Sequence, residues 1–280
     1  MSASRVSPQT VEELSATARQ IRQDILRISY RTGSDTAGDS LSAADLVTAL
    51  VFHELRSDPE HPDWPDRDRL VVSQYTATPA LLSALARRGF LDPATLPDLR
   101  EVGSPAKGPH DPREAPAIEA WAGIPGLGLG MAVGMALDAR LAKRPSRVYA
   151  IVGEGECRAG ATWEAVGAGG LYALDNLVLL IDSNGQSKTT GEDGGSTPGL
   201  LADKFRAFGC DPLEIDGHDF PAILGGLAHA RTSKGHSTAI IARTRFGKGI
   251  SFLENSPPGG GKALNRELAE RGMAELGGSL

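Results

Sequence analysis

The stretch Val148–Asn184, VYAIVGEGECRAGATWEAVGAGGLYALDNLVLLIDSN, decides how the rest of the chain is read. It begins within a short β-rich run, Arg147 to Val152, and turns at Gly153-Glu154-Gly155-Glu156. A helix is predicted from Thr162 to Tyr172, and the stretch then enters Leu177 to Ile181, LVLLI. That last run is apolar on both faces, the pattern of a strand buried inside a parallel sheet. Strand, helix and strand in this length make a βαβ unit. Downstream the alternation continues with a helix from Leu200 to Phe208, a strand from Pro212 to Ile215, a helix from Phe220 to Ala230 and a strand from Thr238 to Arg243. The fold class expected is therefore α/β, a doubly wound parallel sheet with helices on both faces. In such sheets ligands sit at the carboxyl ends of the strands, where the loops after Val152, Ile181 and Arg243 would converge.

Upstream the pattern is helical. Thr10 with Glu13 reads as a capping box ahead of apolar positions at Val11, Leu14, Ala18, Ile21, Ile25 and Ile28. A second helix is expected from a Ser42 cap to about His53, and a third from Pro79 to about Arg88, stopping near Gly89. From Leu91 to Glu119 the chain is rich in Pro and Gly and reads as a long irregular connection. The 280 residues suit one domain, residues 1–280, with 1–33 as an N-terminal helical extension and 256–280 as a C-terminal extension.

Charge and composition exclude several functions. Lys and Arg number 29 against 35 Asp and Glu, a net charge of −6, so no basic stripe points to nucleic acid. The N-terminus lacks the apolar core of an export signal, and no apolar run is long enough to span a membrane, so a cytoplasmic location without membrane contact is expected. Cys157 and Cys210 stand in neither a CxxC nor a zinc spacing and read as packing residues in a reducing compartment.

Two turns carry candidate chemistry. Gly153-Glu154-Gly155-Glu156 presents carboxylates at the end of one strand, and Asp182-Ser183-Asn184-Gly185 presents hard oxygens at the end of the next. Mg²⁺ on a diphosphate needs only a few protein oxygens, because phosphate and water complete its octahedron. Taken alone, a GxGE turn is better explained as a solvated acidic turn; joined to the second turn it becomes a metal-site candidate. The glycines of Gly126-Leu127-Gly128-Leu129-Gly130 lack the dinucleotide spacing and a preceding strand, so helix packing is expected there.

The Val148–Asn184 run resembles the thiamine diphosphate motif of transketolases, in which a GDGE turn is followed by a WEA helix and an LDNL strand ending in Asn. SLSAADLV (Ser40 to Val47), GMAVGMALDARL (Gly130 to Leu141), LADKFRAFG (Leu201 to Gly209), EIDGHDF (Glu214 to Phe220) and GKGISFLEN (Gly247 to Asn255) each resemble a transketolase segment in the same order. The resemblance implies the diphosphate-binding (PP-type) domain of a thiamine diphosphate fold, with thiamine diphosphate and Mg²⁺ as cofactors. Glu154 would take the place of the family's metal-binding Asp, Asn184 would keep its metal-binding amide, and Gln186 would supply a backbone carbonyl. Gly153, Gly155, Glu156, Thr76, Gly123, Ile124 and Arg243 would fall at cofactor-binding positions.

The same resemblance marks departures. Where the family patterns GSGHPGG, KGHA, GHP, AHT and WHGK each place a histidine, this chain has Thr36, Thr76, Pro109, Arg243 and Gly260. His110 stands one place away from an expected histidine. The family's STGSLGQG reads WAGIPGLG here, from Trp121 to Gly128. Thr36, His110 and Trp121 are the substrate-facing candidates. Fewer imidazoles mean fewer partners for the oxygens of a ketose phosphate, so an atypical, small-molecule or carrier-bound substrate is implied. The resemblance also implies a partner, a C-terminal transketolase-like, pyrimidine-binding subunit that supplies the activating glutamate, in an α2β2 assembly. No catalytic residue is assigned to this chain. The expected function is the N-terminal subunit of an enzyme transferring a two-carbon ketol or acyl unit. The alternatives are an E1-like α-keto acid decarboxylase or carboligase subunit, or a partner subunit without chemistry.

Overall fold

The computed structural model describes residues 6–98, 117–185, 198–256 and 263–280. Among them six strands form one sheet: β1 (Arg69–Val72), β2 (Ala120–Trp121), β3 (Val148–Gly153), β4 (Leu177–Ser183), β5 (Asp211–Asp216) and β6 (Thr238–Arg243). Their order is β2-β1-β3-β4-β6-β5, and every pairing is parallel. Side chains alternate between two cores, as the two-residue period of a strand requires. Leu70, Val72, Tyr149, Ile151, Val178, Leu180, Ile240 and Ala242 face one core. Val71, Val148, Ala150, Val152, Leu177, Leu179, Ile181, Ala239 and Ile241 face the other.

Each core is closed by its own helices. The first is covered by α1 (Pro8–Thr32), α2 (Ala37–Ala49), α3 (Thr78–Arg88) and, further on, α7 (Phe220–Thr232). The second is covered by α4 (Leu127–Leu141), α5 (Gly160–Leu171) and α6 (Pro198–Ala207). Two short helices, α8 (Ser251–Glu254) and α9 (Arg266–Glu275), follow, with Leu253, Ala269 and Met273 packed on the first core. The doubly wound α/β sheet expected from the alternation is the fold observed. Among the described residues no helix is long and apolar enough to cross a membrane.

Several local expectations are corrected. The cap of α1 is Ser7, whose hydroxyl accepts from the Thr10 N–H, and Pro8 starts the helix, so Thr10 lies inside it. Ser42 is not a cap: α2 begins five residues earlier, and the Ser42 hydroxyl bonds the Asp39 carbonyl and the Asp182 carboxylate. α2 then runs into a π-helical turn, Leu50–Glu54. Strand β1 has no counterpart among the expected elements, because RLVV is short and preceded by charged and proline-rich sequence. Strand β2 precedes Gly126 after all, although it has only two residues and ends at Trp121. The helix-packing reading of the glycines nevertheless fits. A Cβ on Gly126 would lie 2.6 Å from the Thr162 nitrogen, and one on Gly128 would lie 2.8 Å from the Ser73 Cβ.

The chain leaves β1 outward to β2 and returns to lay β3 on the other side of β1. The winding direction reverses between β1 and β3. A crevice must open there at the carboxyl ends of the strands, because the two connections diverge to opposite sides.

Candidate active site

The crevice is built from four strand ends and one helix start. Ser73, Gln74, Tyr75 and Thr76 follow β1, Ala122, Gly123 and Pro125 follow β2, Gly153 to Glu156 follow β3, and Asp182 and Asn184 end β4. Asp39 joins them from the first turn of α2. Together they line a cavity of about 260 Å³.

A buried carboxylate organises its floor. Asp182 is 1% exposed. Its Oδ2 accepts from the Ser42 hydroxyl at 2.7 Å and from Gln74 Nε2 at 2.8 Å, and its Oδ1 accepts from the Thr244 hydroxyl. Asn184 gives its Nδ2 to Asp39 Oδ1 at 2.9 Å and to Ser42 Oγ at 3.2 Å. Glu154 accepts from the Ser183 hydroxyl at 2.8 Å. Glu156 is occupied as a brace. Its Oε1 takes the Gly153 N–H at 2.9 Å, and its Oε2 takes the Gly126 N–H at 3.2 Å and the Ser73 hydroxyl. It thereby ties the ends of β1 and β3 to the start of α4.

Burial holds every carboxyl of this group above its ordinary pKa. Asp39 is pushed up to about 6 by burial, with Asp182 and Asp35 adding to the rise and the Asn184 hydrogen bond opposing it. Glu154, Glu156 and Asp182 are raised by burial as well, against hydrogen bonds from Ser183, Ser73 and Thr244 respectively. A cation bound in the cavity would lower the cost of ionising these carboxyls.

The residues present fit a diphosphate carried on Mg²⁺. The donor set is carboxylate and carboxamide oxygen, the chemistry a hard cation selects. Gln74 adds a buried Oε1 that has no hydrogen-bond partner among the described residues. Beside them a Cβ on Gly123 or Gly155 would meet no atom within 4 Å, so backbone there faces free space that a phosphate can approach.

The structure brings some of the expected residues together and leaves others apart. Glu154, Asn184, Gly153, Gly155, Glu156, Thr76 and Gly123 all line the cavity. Ile124 is 64% exposed and outside the lining. The Arg243 guanidinium pairs with Glu214 on β5 at 2.5 Å, and Arg243 is not among the residues lining the cavity. Thr36 sits at the start of α2, its hydroxyl 2.8 Å from that of Ser34. Trp121 is buried in the first core and is not among the residues lining the cavity. Gln186, His110, Pro109 and Gly260 lie outside the described residues. Sequence reasoning missed Asp39 and Gln74. Gln74 stands two residues before Thr76 and two after the last residue of β1, so the signal that finds it is that strand.

A family model described as the thiamine diphosphate binding domain of transketolase matches residues 13–277. The 6-deoxy-6-sulfo-D-fructose transketolase subunit SqwG of Clostridium sp. (strain MSTE9) is 35% identical over 266 residues, covering 94% of this chain and 96% of that protein. An apulose-4-phosphate transketolase subunit of Phocaeicola vulgatus is 34% identical over 245 residues, covering 87% of this chain and 86% of that protein. Human transketolase is 32% identical over 269 residues, covering 96% of this chain but 42% of that protein. Among solved structures, transketolase from Campylobacter jejuni superposes with a TM-score of 0.82 at 29% identity, covering 98% of this chain and 44% of that one. The chain thus spans less than half of the full transketolases it matches and nearly the whole of two relatives named as subunits.

Proposed function

Because the chain belongs to the transketolase family, we propose that it is the diphosphate-binding subunit of a two-component, thiamine diphosphate- and Mg²⁺-dependent enzyme. In this reading the enzyme transfers a two-carbon ketol or acyl unit between substrates other than the common pentose phosphates. The observation that carries the proposal is the cavity at the β1/β3 reversal, where Glu154 and Asn184 stand beside the open backbone of Gly155. Its volume of about 260 Å³ is below the ~300–1,000 Å³ usual for a whole small-molecule site. The difference is what a wall contributed by the second subunit would supply.

When bound, thiamine diphosphate supplies the carbanion chemistry. This chain's residues bind and orient. Glu154 and Asn184 would hold the metal, the Gly153–Gly155 turn would let the diphosphate approach, and Glu156 keeps that turn fixed to β1 and α4. Thr76 and the Ala122-Gly123-Pro125 wall would meet the substrate side with fewer polar groups than imidazoles offer. The relatives from Clostridium and Phocaeicola carry uncommon sugars in their names, which supports an uncommon substrate here.

The test is calorimetric titration of thiamine diphosphate with and without Mg²⁺, on the chain alone and after addition of a pyrimidine-binding subunit. Clear binding is expected only with both Mg²⁺ and the second subunit. Tight binding and turnover by this chain alone would sink the two-component reading.

A further inference from the structure

Gln74 is unlike its neighbours in the cavity. It is 6% exposed, it lines the cavity, and its Oε1 is buried without a hydrogen-bond partner among the described residues. An oxygen left unpaired in the native fold forfeits its solvation with nothing in return, so the position calls for an explanation beyond packing.

The orientation of the amide is determined by its surroundings. Its Nε2 lies 2.8 Å from Asp182 Oδ2. That carboxyl group also accepts the Ser42 and Thr244 hydroxyls, and the amide presents its Nε2 donor to it as a third. Oε1 is therefore directed away from Asp182. The amide packs against Gly153, where a Cβ would lie 3.3 Å from Gln74 Cγ and 3.4 Å from its Cδ. The Gly153 N–H cannot satisfy Oε1, being given to Glu156 Oε1. Among the described residues no partner remains, so the one it takes comes from what fills the cavity.

Its chemistry follows from the location. A carbonyl oxygen beside a diphosphate turn would repel phosphate oxygens, which are acceptors themselves. A cation, or a water polarised by one, is the complementary group, and Mg²⁺ keeps several waters in its shell.

Resting on the reading of the cavity as a metal–diphosphate site, we propose that Gln74 is a positioning residue of the Mg²⁺ site, its Oε1 accepting a hydrogen bond from a metal-bound water. Asp182 serves it by pinning Nε2, and Asp39 and Ser42 do the same for Asn184 by holding Nδ2. Two carboxamides are thus oriented by one buried acidic network. Outer partners of this kind change metal affinity by about 10–100-fold.

The experiment titrates Mn²⁺ into the chain reconstituted with the pyrimidine-binding subunit and stoichiometric thiamine diphosphate, following free Mn²⁺ by electron paramagnetic resonance against a protein-free control, with the thermal midpoint of each metal-free variant of this chain measured alongside. Gln74→Met should weaken Mn²⁺ binding about tenfold or more. Gln74→Glu keeps hard oxygens at the position but loses the donor to Asp182, so it should lower the metal-free thermal midpoint while retaining Mn²⁺ affinity. Equal weakening by both substitutions would show that only the Nε2–Asp182 bond matters and would overturn the proposal. So would unchanged Mn²⁺ binding in Gln74→Met. Asn184→Ala separates the two readings. If it loses Mn²⁺ while Gln74→Met does not, only the role of Gln74 fails; if neither loses it, the metal site itself is wrong.

Discussion

Glu154 stands where the transketolase motif carries Asp, and its geometry shows how the longer side chain is accommodated. The carboxylate is anchored at 2.8 Å by the Ser183 hydroxyl, at the end of the neighbouring strand. One extra methylene would carry an unanchored carboxylate past an Asp position, and Mg²⁺ tolerates little error at about 2.1 Å. Ser183 holds it back. Glu154→Asp gives up that anchor and restores the shorter reach. Affinity for Mg²⁺ and thiamine diphosphate should be equal to that of the parent or higher, whereas Glu154→Ala should lose it, both read by calorimetry on the two-subunit enzyme. A clear loss in Glu154→Asp would mean that the anchored, longer carboxylate is the one the site requires.

At the scale of elements, the site depends on how α2 is held against the loop after β6. Gly38, in the first turn of α2, meets the Phe246 ring so closely that a Cβ would fall 2.0–2.3 Å from three of its carbons. The Gly38 carbonyl also accepts from the Gly247 N–H at 2.9 Å. Phe246 is buried, so the ring has nowhere to swing. Gly38→Ala should therefore destabilise by about 1–3 kcal/mol, as overpacking does. It should also weaken cofactor binding, because Asp39 is the next residue; denaturant unfolding and calorimetry would report the two effects.

A second tie joins four elements. Asp45 on α2 bonds Arg22 of α1 at 2.6 Å and His218 Nδ1, after β5, at 2.8 Å. His218 Nε2 accepts the Arg245 N–H after β6, which leaves Nδ1 to face Asp45, and Arg22 Nε donates to the Lys248 carbonyl. Burial alone would raise the Asp45 pKa, but the bonds from His218 and Arg22 hold it below the usual carboxylate value. A depressed folded pKa adds stability above the unfolded value near 3.8, and that stability is lost as pH falls through the folded one. Asp45→Asn should cost about 3 kcal/mol at pH 7, as breaking a buried pair does. The gap between the two proteins should shrink below about pH 4. Thermal midpoints measured from pH 3 to 7 would show a constant gap if Asp45 were not ionised in the fold.

For the whole molecule, the composition of the cavity wall sets the expected substrate. Thr76 lines the cavity where the family pattern carries histidine, and Ala122, Gly123 and Pro125 offer no side-chain hydrogen bond. Each polar group of a substrate left unpaired in a closed site costs about 1–3 kcal/mol, and each 1.4 kcal/mol is tenfold in rate. The two-subunit enzyme should react with xylulose 5-phosphate and a ribose 5-phosphate acceptor orders of magnitude more slowly than with its own substrates. Assay beside pyruvate and hydroxypyruvate would also expose a decarboxylating, E1-like activity. Efficient transfer from the pentose phosphate would show that other residues have replaced the histidines.

The alternating strands and helices from Arg147 onward, and the apolar run of β4, were sufficient to determine the doubly wound sheet, because a strand buried on both faces carries its burial in its own composition. The two turns that meet at the cavity were legible for a related reason: each closes such a strand, so its position is set by local sequence. β1 and β2 were not legible. They are four and two residues long, and what makes them strands is pairing with each other and with β3, a contact between distant parts of the chain. Only the tertiary structure could decide which way Glu156 points, that Arg243 turns to Glu214, and that Asp39 and Gln74 come to the cavity. Each of those outcomes depends on hydrogen bonds between segments far apart in sequence, and no periodicity along the chain encodes them.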